Sequence, residues 1–168
     1  RQMLYTAFKI DTPTAVRYPR GSGSGVPTQN EMHMLPIGRG EIRRQGEKIA
    51  LLSFGSMLTP CLAAAEELNA TVVNMRFIKP LDDELVASLA ANHDLLVTVE
   101  ENTIMGGAGS AVAESLYKQK IYTKILQLGL PDTFIDQGDH AQMLANCGLD
   151  KDGIIDSVNS TLSNGSLL

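Results

Sequence analysis

Apolar and polar positions change period repeatedly along this chain, and each change marks the edge of an element. The stretch Thr98-Val-Glu-Glu-Asn-Thr-Ile-Met-Gly-Gly-Ala-Gly-Ser110 is the most informative. The apolar run Leu95 to Val99 leads into it and reads as a buried strand. Two carboxylates, Glu100 and Glu101, end the run and glycines follow. Ala111, Val112, Leu116 and Tyr117 then recur at helical spacing. Strand, glycine turn and helix make the crossover unit of a parallel sheet, and such folds place function at the carboxyl ends of their strands.

The same alternation runs through the rest of the chain. Met3, Leu4, Ala7 and Phe8 predict a short amphipathic helix within residues 1–10. Residues 11–14, with Pro13, predict a turn, and Ala15 to Tyr18 a brief strand. The run Gly21-Ser-Gly-Ser-Gly25 has no apolar anchor and suits a linker. A domain boundary is therefore expected between it and Leu35. Residues 1–30 would be the tail of a preceding domain plus linker, and 35–168 a domain of their own.

From Pro36 the pattern is regular. Gly40 to Arg44, the turn Gln45-Gly46 and Lys48 to Ser53 predict an edge hairpin leading into a buried strand. Thr59-Pro60 starts a helix, with threonine as cap, that Leu62, Ala65, Glu66 and Leu68 carry to Asn69. Ala70 to Ile78 reads as the second parallel strand. Pro80 to Glu84 opens a helix with its acids near the positive end of the dipole, and Leu85 and Leu89 carry it to the region of His93. Lys124 to Leu128 is a further strand, followed by a polar loop from Gly129 to Asp139 and a helix stopped by Gly148. Asp150 caps a last helix whose face is Ile154, Ile155, Val158 and Leu162, and residues 163–168 are expected to fray. Together these predict a three-layer α/β/α fold around a mostly parallel sheet of about five strands.

Composition narrows the partners. A chain of 168 residues can bury one full core. Its net charge of −5 argues against a nucleic-acid partner, which would need a basic stripe. No apolar run approaches the roughly 20 residues of a membrane span, so no membrane partner is expected. The start at Arg1, without a signal peptide, suggests a piece of a longer polypeptide. Cys61 and Cys147 are far apart without a C-x-x-C partner, which favours a reduced, intracellular setting. His33, His93 and His140 have no ligand spacing, so no zinc site is expected.

Several groups could carry chemistry. Gly106-Gly107-Ala108-Gly109 could cradle a phosphate at a helix N-terminus, but it lacks the Lys-Ser/Thr of a P-loop. Close packing of helix on strand is the favoured reading. Glu100 and Glu101 should point to opposite faces, one solvated and the other capping a neighbouring helix or turn. Arg17 and Arg20 flank Tyr18-Pro19, where guanidinium forks would suit phosphate oxygens. Solvated edge arginines fit those residues equally well. Arg76 and Lys79 could form a second basic spot, though ordinary surface charge is favoured. Cys61 reads as a small core residue.

The run Val99-Glu-Glu-Asn-x-x-x-Gly-Gly-x-Gly-Ser110 resembles the C-terminal domain of thiamine diphosphate enzymes of the transketolase and 2-oxo acid dehydrogenase group. Four further stretches sharpen the resemblance: Ala15-Val-Arg-Tyr-Pro-Arg-Gly21, Leu35-Pro-Ile-Gly-Arg-Gly40, Met75-Arg-Phe-Ile-Lys-Pro-Leu-Asp82 and Leu128-Gly-Leu-Pro-Asp132. In that order they resemble the family of synthases that make 1-deoxy-D-xylulose 5-phosphate. Tyr18-Pro19-Arg20-Gly21 speaks against a transketolase or a 2-oxo acid dehydrogenase β subunit. The resemblance implies a homodimeric transferase that joins pyruvate to glyceraldehyde 3-phosphate with loss of carbon dioxide, using thiamine diphosphate and magnesium. Its products feed isoprenoid, thiamine and pyridoxal synthesis.

In that family the cofactor's Gly-Asp-Gly…Asn motif and activating glutamate lie in earlier domains. Neither can be placed here, so no catalytic, cofactor or metal residue is expected in this chain, which would be inactive alone and support the dimer. Residues 1–30 would be the tail of the pyrimidine-binding domain. The family's aldehyde-phosphate arginine transfers to Arg20 first and Arg17 second. A bacterial cytoplasm is expected, with a plastid as the alternative. The rival binding role would be a regulatory anion or nucleotide on Gly106–Ser110.

Overall fold

A computed structural model describes residues 1–19, 23, 25–27 and 30–164. Helix α1 (Gln2–Phe8) is tied to the segment at 31–35 rather than to a sheet. The Thr6 hydroxyl accepts the Leu35 N–H at 2.9 Å, and the Gln2 side chain accepts the His33 N–H at 3.0 Å. Ala15 to Tyr18 form no strand, because no described strand runs alongside to complete a ladder. The ordered elements that follow are β1 (Glu41–Arg44), β2 (Ile49–Phe54), a 3-10 turn (Gly55–Met57), α2 (Leu58–Leu68), β3 (Thr71–Asn74) and α3 (Asp83–Asn92). After them come β4 (Leu95–Thr103), α4 (Ala108–Lys118), β5 (Lys124–Leu130), α5 (His140–Asn146) and α6 (Lys151–Asn164).

The sheet runs β1-β3-β2-β4-β5, with β1 antiparallel to β3 and every other pair parallel. The expected hairpin between the first two strands therefore does not form, since β3 lies between them. The reason is local to Gly46. A Cβ there would stand 2.2 Å from the Ala70 carbonyl carbon and 2.5 Å from the Thr71 nitrogen. Without one, the link crosses the start of β3, donating from Gly46 N–H to Thr71 Oγ1 and from Glu47 N–H to Asn69 O, both at 3.0 Å. β3 also stops at Asn74, short of the expected Ile78, because Arg76 turns to φ +58°.

Helix ends follow the chemistry of their residues. α2 begins one residue before Thr59 and its cap, Met57, makes no side-chain bond, so Thr59 and Pro60 lie inside the first turn. Pro60 is tolerated there because its missing N–H would have had no intrahelical partner. Asp82 accepts the Leu85 N–H at the start of α3, Asp139 those of Ala141 and Gln142 in α5, and Asp150 that of Gly153 in α6. Gly148, at φ +69°, ends α5 as expected.

Both faces of the sheet are covered. Leu51, Val72, Leu95, Val97 and Val99 pack with Cys61, Ala64 and Ala65 of α2 and Ile154 and Val158 of α6. Ala50, Leu52, Val73 and Leu96 pack with Val86 and Leu89 of α3 and Val112 and Leu116 of α4. This is the three-layer α/β/α arrangement, and it leaves the carboxyl ends of β2 and β4 side by side.

Candidate functional site

At the carboxyl end of β4 the strand alternation separates two adjacent carboxylates. Glu100 turns toward α4 and is buried, 4% exposed. Its Oε2 accepts the Ala108 N–H and its Oε1 the Gly109 N–H, each at 2.7 Å. These donors lie at the positive end of α4, so the helix holds an anion from its own chain. The glycines make room for it. A Cβ on Gly107 would lie 2.5 Å from both Glu100 oxygens, and one on Gly109 would lie 2.5 Å from Thr98 Oγ1. Gly106, at φ +71°, turns the chain, and its N–H is taken by Ser110 Oγ at 3.1 Å. Close packing therefore accounts for the glycine cluster, and Glu100 is the expected capping glutamate.

Glu101 turns to the other side. Its expected place in solvent is not what the structure shows. The Ser56 hydroxyl, in the 3-10 turn after β2, donates to Oε2 at 2.6 Å, and His140 Nε2, at the start of α5, meets Oε1 at 2.7 Å. Arg17 Nη2 donates to the Glu101 main-chain oxygen at 2.6 Å. Burial alone would raise the Glu101 pKa. The bonds from Ser56 and His140 and the charges of His140 and Arg17 more than offset this and hold the carboxyl below its ordinary value.

Arg17 thus sits beside Glu101, while Arg20 and Gly21 lie outside the described residues. Arg76 Nη2 meets Glu41 Oε2 at 2.5 Å, which favours the surface-charge reading of the second basic spot. Cys61 is fully buried and burial pushes its thiol up to about 12, as suits a core residue. The His93 ring is held between Thr71 Oγ1 at 2.8 Å and Leu89 O at 2.9 Å. Ser56 was not singled out by sequence reasoning, and His140 was weighed only as a zinc ligand. Neither belongs to a periodic pattern, and their one signal is position, each at the start of a helical segment after a sheet strand.

The N-terminus of α4 is filled by Glu100, and among the described residues no group of three or more His, Cys, Asp or Glu side chains could hold a metal ion. An open groove of about 310 Å³ beside the glycine turn is lined by Ile78, Asn102, Ser110 and Glu114 among others. Among the described residues no helix is long and apolar enough to cross a membrane.

Residues 38–154 match the family described as "Transketolase, C-terminal domain". The 1-deoxy-D-xylulose-5-phosphate synthase of Nitrosospira multiformis is 74% identical over 158 residues, covering 94% of this chain and 26% of the relative. That of Nitrosomonas europaea is 71% identical over 163 residues, covering 97% and 26%. The chain therefore spans about a quarter of the length of these relatives. Among solved structures, a split-gene transketolase described as an inactive beta4 tetramer superposes with a TM-score of 0.69 at 28% identity, over 87% of this chain and 46% of the other.

Proposed function

From membership of the transketolase C-terminal domain family, to which this chain belongs, we propose that it acts as the C-terminal domain of a 1-deoxy-D-xylulose-5-phosphate synthase. The observation that carries the reading is the 74% identity to such a synthase across 94% of the chain. The whole enzyme would condense pyruvate with glyceraldehyde 3-phosphate and release carbon dioxide, as a homodimer in a bacterial cytoplasm. Thiamine diphosphate with magnesium would supply the carbanion chemistry from other parts of the polypeptide. Residues 35–168 would form the supporting domain and residues 1–30 the end of the domain before it.

Within this chain, Arg20 is assigned to the substrate phosphate, with Arg17 as second choice. A guanidinium there would hold the aldehyde phosphate by charge-assisted bonds. The alternative, an anion or nucleotide on Gly106–Ser110, loses support because Glu100 already takes the Ala108 and Gly109 amides.

The full-length enzyme should make 1-deoxy-D-xylulose 5-phosphate from its two substrates with thiamine diphosphate and magnesium, and the 168-residue chain alone should not. Absence of product from the full-length enzyme sinks the synthase reading. Thiamine-dependent product from the pure chain sinks the supporting role. Arg20→Ala in the full-length enzyme should raise the glyceraldehyde 3-phosphate KM by roughly 10-fold or more, as losing a charge-assisted contact costs roughly 1.5–3 kcal/mol. An unchanged KM would move the role to Arg17 or out of this stretch.

A further inference from the structure

The two edges of the sheet are built differently. At one edge β1 reads Glu-Ile-Arg-Arg, and its pairing with β3 is broken by a register shift between Ile42 and Arg44. Charges and bulges of this kind keep a strand edge from pairing with another chain. At the other edge β5 reads Lys-Ile-Leu-Gln-Leu-Gly-Leu, with no charge after its first residue and no proline. Its register against β4 is regular from Lys124 to Leu128, and it pairs with no other described strand. Ile125, Leu126 and Leu128 pack against the two apolar layers yet stay half-buried. This edge is open and unguarded.

The two ends of β5 carry opposite charge. Residues 117–124, leading into the strand, hold Tyr117, Lys118, Lys120, Tyr122 and Lys124 and no acid. An open groove of about 460 Å³ lies here, lined by Leu116, Tyr117, Ile121, Tyr122, Lys124 and Ile125 among others. Residues 131–139, leaving the strand, hold Asp132, Asp136 and Asp139 with Phe134 and Ile135 and no base. Phe134 is fully exposed. Asp139 caps α5. Among the described residues, no ion pair or hydrogen bond engages the side-chain charge of Lys118, Lys120, Lys124, Asp132 or Asp136. Complementing the helix dipole accounts for Lys118, in the last turn of α4, but not for the two lysines beyond it.

We propose that a second copy of this chain docks antiparallel along the outer edge of β5, about a two-fold axis near Gln127, the middle residue of the strand. Antiparallel pairing sets the end of β5 in one copy beside its start in the other. The loop 131–139 of each copy then meets the groove of its partner, bringing Phe134 to the tyrosines and Asp132 and Asp136 to the lysines. A two-fold contact is self-complementary, so the same match forms twice. Parallel pairing would instead set loop against loop and groove against groove, with like charges facing. The seam rests on the homodimeric reading of the enzyme and gives it a surface on this chain.

The test uses the full-length enzyme. β5 spans seven residues, so at about 3.3 Å per residue its ends lie roughly 20 Å apart. A zero-length carbodiimide bond between a lysine before the strand and an aspartate after it therefore forms between copies. In dilute, low-salt solution carbodiimide should join Lys120 or Lys124 to Asp132 or Asp136 in a product of dimer mass, identified by peptide mass spectrometry. A dimer without that bond, or with these lysines joined to another part of the polypeptide, overturns the seam and leaves the homodimer standing. A monomeric full-length enzyme sinks both.

Charge reversal gives a second readout. Asp132→Lys with Asp136→Lys should raise the dimer dissociation constant, measured by sedimentation, at least about fivefold. Adding Lys120→Glu and Lys124→Glu should bring it back within about twofold of wild type and restore the cross-link with the two charges exchanged. An unchanged constant, or a further loss in the fourfold variant, counts decisively against the seam. An enzyme that forms the cross-link but does not turn over pyruvate and glyceraldehyde 3-phosphate would count against the proposed reaction and leave the seam in place.

Discussion

Glu100→Ala is expected to lower the stability of the chain by about 3 kcal/mol. Two short bonds to a buried carboxylate, 2.7 Å each, are lost, and a charge-assisted hydrogen bond is worth roughly 1.5–3 kcal/mol. The Ala108 and Gly109 N–H groups would stay behind, buried at the start of α4. Intrahelical bonds cannot satisfy them, because the first turn has no preceding carbonyls. Relief from keeping a carboxylate 4% exposed works in the other direction and holds the figure at the lower end of the sum. In a protein of this size such a loss moves Tm by roughly 6–12 °C. Glu100→Gln keeps one acceptor and should lose about half as much. Urea unfolding followed by circular dichroism measures both. A loss below about 1 kcal/mol for Glu100→Ala would mean that the carboxylate is not what satisfies the helix end.

Glu100 also marks how far a sequence can be read. Two adjacent glutamates at a strand end must face opposite sides, and that much followed from the period of two. Which one would cap a helix depends on where α4 docks, and docking is set by contacts with Gly107 and Gly109 that have no periodic signature. The central strands β2 and β4 were legible because each opens on a continuous apolar run, Ile49 to Leu52 and Leu95 to Val97, whereas Ala15 to Tyr18 form no strand and β3 stops at Asn74. Strand order was less legible. β1 and β2 are neighbours in sequence and look like a hairpin. The close approach of Gly46 to Ala70 and Thr71, more than twenty residues away, puts β3 between them instead. The cluster around Glu101 was hidden for the same reason, since its members are single residues, with Arg17 84 positions from Glu101. What is local and repeated can be read along a chain, whereas single long-range contacts appear only once the layers are assembled.

Leu51→Ala and Leu52→Ala should each lower stability by about 3–4 kcal/mol, within the 2–5 kcal/mol range for emptying a leucine site in a packed core. The expectation is unusual because the two residues are consecutive on one strand. In a sheet covered on one face, one of such a pair points to solvent and its truncation is nearly free. Here β2 is the central strand of five and all six of its residues are buried. Leu51 packs in the layer of α2 and α6, and Leu52 in the layer of α3 and α4. The two cavities would open on opposite sides of the sheet among different helices, so neither layer can collapse to fill the other's void. Chemical denaturation of both variants decides the matter. A loss below about 1 kcal/mol at either position would mean that its face of the sheet is not closed by helices, and the three-layer architecture would fail on that side.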